Sequence, residues 1–167
     1  VAARTRRVHD IIGDATLFPD QRWSPGLSWN NIGTDSGTAV AALSLDDNEL
    51  PVVITPTVPG QPPRITASPY LTVRNEAMTS AAGSSRTLRF DWTVNGRTVR
   101  LYGEIPQGEP YRERLGVDDP AHYAAFVLLQ MLKDRGVRVD GSAVSRYRPV
   151  ALADEPERRT AAAPLQP

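Results

Sequence analysis

Residues 87–105 read TLRFDWTVNGRTVRLYGEI and carry the strongest fold signal in the chain. Apolar and polar residues alternate on both sides of Asn95-Gly96, a pair that favours a two-residue hairpin turn. Such a turn pairs Trp92 with Val99, and it places five apolar side chains on one face of the hairpin: Leu88, Phe90, Trp92, Val99 and Leu101. We predict an antiparallel hairpin over about residues 87–105.

A second hairpin pattern covers residues 39–55. The apolar stretches AVAALSL (39–45) and LPVVIT (50–55) flank a short polar stretch that suits a hairpin loop. Pro51 has no backbone N–H to donate, so its strand should begin there or lie at a sheet edge. Shorter apolar patterns predict four further strands, at residues 8–12, 64–66, 71–74 and 137–139.

One helix is predicted over about residues 120–135. Asp119 suits the N-cap, Pro120 the first helical position and Gly136 the position after the last turn. The residues between them, AHYAAFVLLQMLKDR, are apolar on most of the helix circumference, so we expect a mostly buried helix packed against a sheet. Together these patterns predict an α+β fold with a largely antiparallel sheet.

Charge and composition exclude several function classes. Lysine and arginine number 19, as do aspartate and glutamate, so no net charge attracts nucleic acid or an anionic membrane surface. Cysteine is absent, which excludes thiol catalysis, disulfides and cysteine-ligated zinc. No apolar run approaches the roughly 18 residues of a membrane span. We therefore predict no nucleic-acid partner and no transmembrane segment.

Two short matches to serine-enzyme motifs lack the residues that their chemistry needs. Residues 34–37, TDSG, are similar to the sequence around a chymotrypsin-like serine, but a triad also needs a positioned histidine. The histidines, His9 and His122, lie in a predicted terminal strand and in the first helical turn, so we interpret TDSG as a loop turn. Residues 28–30, SWN, match the S-x-N triplet of penicillin-recognising enzymes. The only lysine, Lys133, belongs to neither S-x-x-K nor K-T-G, so we predict no catalytic residue.

No motif for a metal or a nucleotide is present either. Residues 46–49, DDNE, lack the glycine and glutamate spacing of an EF-hand loop and indicate a solvated turn. Asp118 and Asp119 are explained by the start of the helix rather than by paired catalytic carboxylates. The glycine-rich phosphate loops are also missing. We predict no metal site and no cofactor.

The order of seven segments resembles the class C, low-molecular-mass penicillin-binding proteins, which are D-alanyl-D-alanine carboxypeptidases and endopeptidases. The resemblance runs from about residue 7 to residue 150. Its segments are IIGDATLF (11–18), PGLSWNNIG (25–33), AVAALSLDDN (39–48), PTVPGQPP (56–63), SPYLTVRNEAM (68–78), LYGEIPQG (101–108) and VDDPAHYAAFVLLQMLKDRGVRVDG (117–141).

The resemblance implies a segment of two domains that this family inserts between its S-x-x-K and S-x-N motifs. Residues 1–22 would end the first inserted domain and residues 23–152 would form the second. Residues 153–167 lack any periodic pattern and indicate a linker or disordered tail. The chain would belong to a longer serine-type carboxypeptidase of the periplasm or cell surface. Its expected partners are the rest of the transpeptidase-like domain and the peptidoglycan stem peptide.

The resemblance also implies one substrate-binding residue. In the family's P-G-W-x-W-x-D segment, the aspartate contacts the diamino-acid side chain of the stem peptide. Here Trp29 matches the second tryptophan, Leu27 replaces the first, and Asn31 takes the aspartate position. An amide can accept a hydrogen bond from an ammonium group but carries no charge, so selectivity for that side chain is open. A plain loop asparagine is the alternative.

Two other interpretations stay open. The first is a degenerate homologue that binds or scaffolds the cell wall without an enzymatic domain. The second is a generic β-rich adhesion or carbohydrate-binding module, although the three tryptophans do not fall on one predicted strand face. An exposed sheet face where the catalytic domain should sit would favour self-association, so a homo-oligomer is also an alternative.

Overall fold

The computed structural model describes residues 6–93 and 96–155. Within these residues it has one α-helix and ten β-strands, which confirms the α+β class. The four short predicted strands all have counterparts, namely Arg7–Val8 with the start of Ile11–Pro19, Arg64–Ala67, Thr72–Ser80 and Arg138–Val139. The strands Tyr111–Gly116 and Ala143–Arg148 were not predicted. The elements are β1 (Arg7–Val8), β2 (Ile11–Pro19), β3 (Glu49–Thr55), β4 (Arg64–Ala67), β5 (Thr72–Ser80), β6 (Arg89–Trp92), β7 (Thr98–Pro106), β8 (Tyr111–Gly116), α1 (Pro120–Asp134), β9 (Arg138–Val139) and β10 (Ala143–Arg148).

The predicted hairpin over residues 87–105 is confirmed as β6 and β7. The two strands are antiparallel, with Trp92 opposite Val99 and Phe90 opposite Leu101, which is the predicted register. These side chains all contribute to the apolar core or pack against it. The turn prediction depends on Asn95, which lies outside the described residues. On its other edge β7 pairs in parallel with β5, a pairing that no local sequence pattern indicates.

The first strand of the second predicted hairpin is absent, so that prediction was wrong. Residues 39–45 form no strand because their backbone groups bond elsewhere. The Ala39 N–H donates to the Val117 carbonyl at 3.0 Å, and the Ala39 carbonyl accepts from the Asn48 side chain at 3.0 Å. Residues 46–48 then form a left-handed turn, with φ angles of 52°, 55° and 58°. β3 pairs with β4 and β8 instead.

β3 is the central strand of an antiparallel sheet with the order β4-β3-β8. Pro51 therefore neither starts the strand nor lies at an edge, contrary to the prediction. It lies opposite Arg114 of β8, and the pairing with β4 begins only at Val52. No ladder partner is present on the β4 side at Pro51, so the missing N–H costs no hydrogen bond there.

One apolar core joins this sheet to the second three-stranded sheet, β5-β7-β6. Leu50, Val52 and Ile54 alternate along β3 and have no exposed surface, as expected for the inner face of a strand. The second sheet and the helix supply the other main members of the cluster: Ala77, Val99, Leu101, Ile105 and Tyr123.

The helix α1 is confirmed over Pro120–Asp134. The Asp119 carboxylate accepts the His122 backbone N–H at 3.0 Å, which is the predicted N-cap bond. The helix lies between the core and the strands from both ends of the described chain. It is buried on fewer sides than predicted, because Leu128 and Met131 remain 48% and 44% exposed.

Two parallel strand pairs at the ends of the described chain are here together called the terminal ribbon. In it β1 pairs with β9 and β2 pairs with β10. One face of the ribbon packs so tightly on α1 that a Cβ atom on Gly13 would lie 1.9 Å from the Ala121 carbonyl oxygen. The domain division at residue 22 stays a prediction, with β2 from the expected first domain paired to β10 from the expected second.

Candidate functional site

The short helical turn Trp29–Asn31 contains the residue that the resemblance assigns to substrate contact. Asn31 donates its backbone N–H to the Ser28 carbonyl at 2.9 Å. Its own carbonyl accepts from the backbone N–H and the hydroxyl of Thr34, at 3.0 and 2.7 Å. Trp29 is 67% exposed, and Asn31 is exposed as well. The turn therefore has a fixed backbone and three accessible side chains, since Asn30 is exposed too.

The segments flanking this turn are held against the body of the protein. Trp23 donates its indole N–H to the Gly37 carbonyl at 3.0 Å. The Gly116 N–H at the end of β8 donates to the Gly33 carbonyl at 3.1 Å. Gly37 has no room for a side chain, because a Cβ atom there would lie 1.8 Å from the Asn31 carbonyl oxygen. These contacts place the turn at one end of β8.

A groove of about 450 Å³ opens beside the turn, between the edge strands β6 and β8. Trp29 and Asn30 line it from the turn, Asp91 and Trp92 from β6, and Glu113 from β8. The predicted contact residue Asn31 is the next residue after Asn30 but is not itself part of the groove wall. The structure thus places Asn31 at the rim of a groove rather than inside it.

The polar part of the groove is mainly acidic. Asp35, Asp91 and Glu113 line it together with a single arginine, Arg114. That arginine is engaged elsewhere, since its guanidinium donates to Glu49 at 2.9 Å. The groove is therefore suited to a cationic or hydrogen-bond-donating ligand rather than to an anion.

Aromatic groups form much of the rest of the wall. Trp92 and Trp29 lie in the same groove, a juxtaposition that the predicted strand faces did not indicate. The indole N–H of Trp92 is buried and has no hydrogen-bond partner among the described residues. In β8, Tyr111 donates its hydroxyl to the groove residue Glu113, and this bond together with burial raises the pKa of Tyr111.

The groove residues of β6 and β8 were missed by the sequence reasoning. Asp91 and Glu113 belong to different sheets, and no short motif contains both. A usable signal did exist for Asp91, since its hairpin register was correctly predicted. Nothing local indicated β8 or its position opposite β6.

The serine-motif interpretations gain no support from the structure. Residues 34–37 lie in a turn, where the Ser36 hydroxyl donates to the adjacent carboxylate at 3.0 Å. His122 bonds the Tyr70 hydroxyl at 3.2 Å, and His9 pairs with its own neighbour. Neither histidine is hydrogen-bonded to Ser36, so residues 34–37 act as a loop turn, as predicted.

The described ranges contain neither a metal-binding cluster nor a helix able to span a membrane. No group of three or more histidine, aspartate or glutamate side chains there is arranged to hold a metal ion. No helix in the same ranges has both the length and the apolar character needed to cross a membrane.

A polar network at the start of α1 links the segment before the turn to the terminal ribbon. The Asp119 carboxylate accepts the hydroxyls of Tyr147 at 2.7 Å and Ser145 at 2.8 Å, both from β10. Burial, together with this bond, raises the pKa of Tyr147. Arg22 lies 4.4 Å above the Tyr147 ring and donates to the Asp118 carbonyl at 2.8 Å. The network fixes where the chain leaves β2 towards residues 29–31.

Known proteins with related sequences are D-Ala-D-Ala carboxypeptidases. The profile of the D-Ala-D-Ala carboxypeptidase 3 (S13) family matches residues 3–165. The chain is 30% identical over 142 residues to a D-alanyl-D-alanine carboxypeptidase of Actinomadura sp. (strain R39), and the alignment covers 79% of this chain and 26% of that protein.

Solved structures show the same fold. Penicillin-binding protein 4 from Haemophilus influenzae superposes with a TM-score of 0.70 at 17% identity, covering 87% of this chain and 34% of that one. A second structure of that protein, in complex with a novel β-lactam, gives a TM-score of 0.50 at 18% identity, covering 66% of this chain and 27% of that one. The chain thus spans between a quarter and about a third of the proteins that it matches.

The profile match spans nearly the whole sequence, and the sequence relative and the fold agree with it. The resemblance noted from the order of segments is therefore confirmed. The chain belongs to the D-Ala-D-Ala carboxypeptidase 3 (S13) family.

Proposed function

We propose that this chain is a non-catalytic accessory segment of a longer serine-type D-Ala-D-Ala carboxypeptidase. The longer protein would act on peptidoglycan stem peptides in the periplasm or at the cell surface. Its nucleophile would lie outside this chain, since S-x-x-K and K-T-G do not occur in the sequence. The accessory segment would form one wall of the substrate cleft.

The observation that carries this proposal is the exposed turn Trp29–Asn31. Its backbone is fixed by hydrogen bonds to Ser28 and Thr34, whereas its side chains are left accessible. A rigid backbone that presents a few exposed polar and aromatic groups is typical of a contact site, because little conformational entropy is lost on binding. We assign the substrate contact to Asn31, whose amide oxygen can accept a hydrogen bond from an ammonium group.

The test compares Asn31→Asp with the neighbouring Asn30→Asp in the full-length protein. Both variants add one negative charge to the same turn, but only the first restores a carboxylate at the assigned position. We expect Asn31→Asp to raise kcat/KM for a stem peptide whose diamino acid has a free ammonium, relative to the same peptide after N-acetylation. Acylation by a fluorescent penicillin, which lacks this group, should not change.

Two outcomes would contradict the proposal. Equal effects of the two variants would show that added charge, and not the position of Asn31, matters. Absence of penicillin labelling on the full-length protein, read by intact mass, would remove the serine-enzyme assignment itself.

A second candidate function is supported by the groove beside the turn. Trp29 and Trp92 line it together with three carboxylates, and exposed aromatic and acidic groups of this kind also suit a polysaccharide. On this reading the chain is part of a non-enzymatic cell-wall binding protein. Co-sedimentation with purified cell walls should then fall in Trp29→Ala but not in Val58→Ala, since Val58 is comparably exposed at 65% and lies outside the groove. Equal binding by both variants would exclude this candidate.

A further inference from the structure

We propose that a second groove, here called the β3–β4 groove, binds an extended peptide segment of a partner protein through an arginine side chain of that segment. The groove lies at the end of β4, beside the left-handed turn of residues 46–48. The inference goes beyond the proposed function and does not depend on it, because it involves neither Asn31 nor an enzymatic activity.

The β3–β4 groove combines apolar side chains with an excess of acidic ones. Its volume is about 560 Å³, which lies within the range of small-ligand sites. Its apolar lining comes from both strands: Leu50, Pro51 and Val53 of β3 and Ala67 of β4. Three acidic side chains line it together with one tyrosine and one arginine: Asp46, Asp47, Glu49, Tyr123 and Arg114.

The arginine of the groove does not balance its acidic side chains. The Arg114 guanidinium pairs with the Glu49 carboxylate at 2.9 Å. The Asp46 carboxylate accepts the Tyr123 hydroxyl at 2.7 Å, a bond that orients this carboxylate but supplies no opposite charge. The side chain of Asp47 has neither a hydrogen bond nor an ion pair with another described residue. The groove is therefore complementary to a cationic group that donates hydrogen bonds.

The turn that carries these carboxylates is fixed in a backbone conformation that residues other than glycine adopt at an energetic cost. The φ angles of Asp46, Asp47 and Asn48 are 52°, 55° and 58°. The buried Asn48 holds the turn, since its amide donates to the Ala39 carbonyl at 3.0 Å and accepts the Ser44 hydroxyl at 2.9 Å. Because the turn is already formed, a ligand of the two aspartates loses little conformational entropy on binding.

The lining favours an arginine side chain over a bare metal ion. No group of three or more histidine, aspartate or glutamate side chains in the described ranges is arranged to hold a metal ion. An arginine joins a weakly hydrated guanidinium, with its planar set of N–H donors, to methylene groups that pack on apolar surface. The guanidinium matches the carboxylates of the turn, and the methylene groups match the apolar side chains of β3.

The neighbouring edge strand favours an extended peptide as the carrier of the arginine. Among the described strands, β4 pairs only with β3. The Asn48 carbonyl bonds an N–H just after β8, so by alternation the backbone of Val53 faces β4. Thr66 lies opposite Val53, and Ile65 and Ala67 therefore turn their backbone groups to the outer edge of β4. An extended peptide can add to such an edge through main-chain hydrogen bonds while a nearby pocket selects its side chain.

The test measures binding of two short peptides to the full-length protein by fluorescence anisotropy. One is Thr-Val-Arg-Val-Thr with an uncharged dye at its N-terminus and an amide at its C-terminus. The other has citrulline in place of arginine, which keeps the shape of the side chain but removes its charge. We expect the arginine peptide to bind about tenfold more tightly, and this difference to shrink as salt is added. Equal affinities of the two peptides would overturn the inference.

Two charge-removing variants test whether the turn itself holds the arginine. Asp47→Asn removes one carboxylate of the turn and keeps a residue type that tolerates positive φ. The matched control Glu109→Gln removes one carboxylate from an exposed site outside the groove. We expect Asp47→Asn to weaken the arginine peptide by about tenfold and to leave the citrulline peptide unchanged, whereas Glu109→Gln changes neither. Equal losses in the two variants would reduce the effect to overall charge and would overturn the inference.

Amide hydrogen exchange of the full-length protein locates the bound peptide. We expect the arginine peptide to slow exchange at Ile65 and Ala67 more than at Thr66, which already faces β3. Slowing that is confined to Asp91 and Glu113 would place the peptide in the other acidic groove and would refute the inference. Displacement of the peptide by roughly millimolar calcium chloride, but not by potassium chloride of equal ionic strength, would identify a metal ion as the occupant and would also refute it.

Discussion

Replacing Gly13 by alanine is expected to separate the terminal ribbon from the helix. A Cβ atom at this position would lie 1.9 Å from the carbonyl oxygen of Ala121 and 3.2 Å from its Cα. Ordinary non-bonded contacts require about 3.5 Å, so β2 and α1 would have to move apart by more than about 1 Å. No rotamer change can relieve this contact, because the atoms that collide belong to the helix backbone.

The expected cost lies at the upper end of the range for overpacking, about 3 kcal/mol. For a chain of this size, a loss of 3 kcal/mol lowers the Tm by about 6–12 °C. The same overpacking should also release the Asp119 network that connects α1 to β10.

Thermal and urea unfolding, followed by circular dichroism, would measure the effect. The matched control is Gly83→Ala, because that glycine has open space around it and a φ of 83°. It should cost only the strain of a left-handed alanine, about 1–2 kcal/mol. If Gly13→Ala is no more destabilising than Gly83→Ala, then α1 does not pack on β2 at this distance.

Three further predictions concern other contacts. Asp119→Ala should lower the free energy of unfolding by about 2–3 kcal/mol, because it removes the N-cap and leaves the Tyr147 and Ser145 hydroxyls without their acceptor. In urea unfolding, Asp119→Asn should recover part of this loss, and equal losses for the two variants would exclude the network. Asn48→Gly keeps a residue suited to positive φ but removes the hydrogen bond to the Ala39 carbonyl. Thermal unfolding should therefore show a free energy of unfolding lower by about 1–3 kcal/mol, and an unchanged value would show that this bond is unimportant. Burial raises the pKa values of Tyr70, Tyr123 and Tyr147 above the ordinary value of 10.0. The unfolded chain therefore loses these protons first as pH rises, so the free energy of unfolding is intact below pH 10 and declines above it. Tyrosinate absorbance at 295 nm should rise together with unfolding, and gradual titration without unfolding would contradict this prediction.

Local patterns predicted the parts of the fold in which neighbours in sequence interact. The hairpin of β6 and β7 was predicted in the correct register because alternation and a turn signal lie within one stretch. The helix was equally local, with Asp119 as its cap and Gly136 after its end. The paired residues of the hairpin lie 7–13 positions apart, and the cap bond of the helix joins residues three positions apart.

The failures have a common physical cause, namely competition for backbone groups by distant residues. Residues 39–45 have strand-like composition, but the Ala39 N–H and carbonyl bond Val117 and Asn48, so no ladder can form. The parallel pairing of β5 with β7 depends on how strands are ordered within a sheet, which alternation does not determine. Strand order also brought Glu113 and Asp91 to the groove, and for that reason these candidate site residues were not found from sequence.

Asn31 illustrates a different limit. The resemblance to a family segment identified the position, and the structure shows it exposed on a fixed turn. Sequence reasoning gave no indication that Trp29, Asn30 and Ile32 line the groove whereas Asn31 does not. Whether a side chain lies at the rim of a groove or inside it depends on how the whole sheet edge packs.

The terminal ribbon has a consequence for the order in which the protein is synthesised and folds. The backbone N–H of Ser142 bonds the side chain of Asp10, a residue 132 positions earlier in the chain. At a translation rate of 5–20 residues per second, β2 leaves the ribosome roughly 7–26 s before β10 does. The core built from β3 to β8 can form in that interval, whereas the apolar residues of β2 must wait without their partner. Among the described strands, β2 is thus made early and is one of the last to be paired.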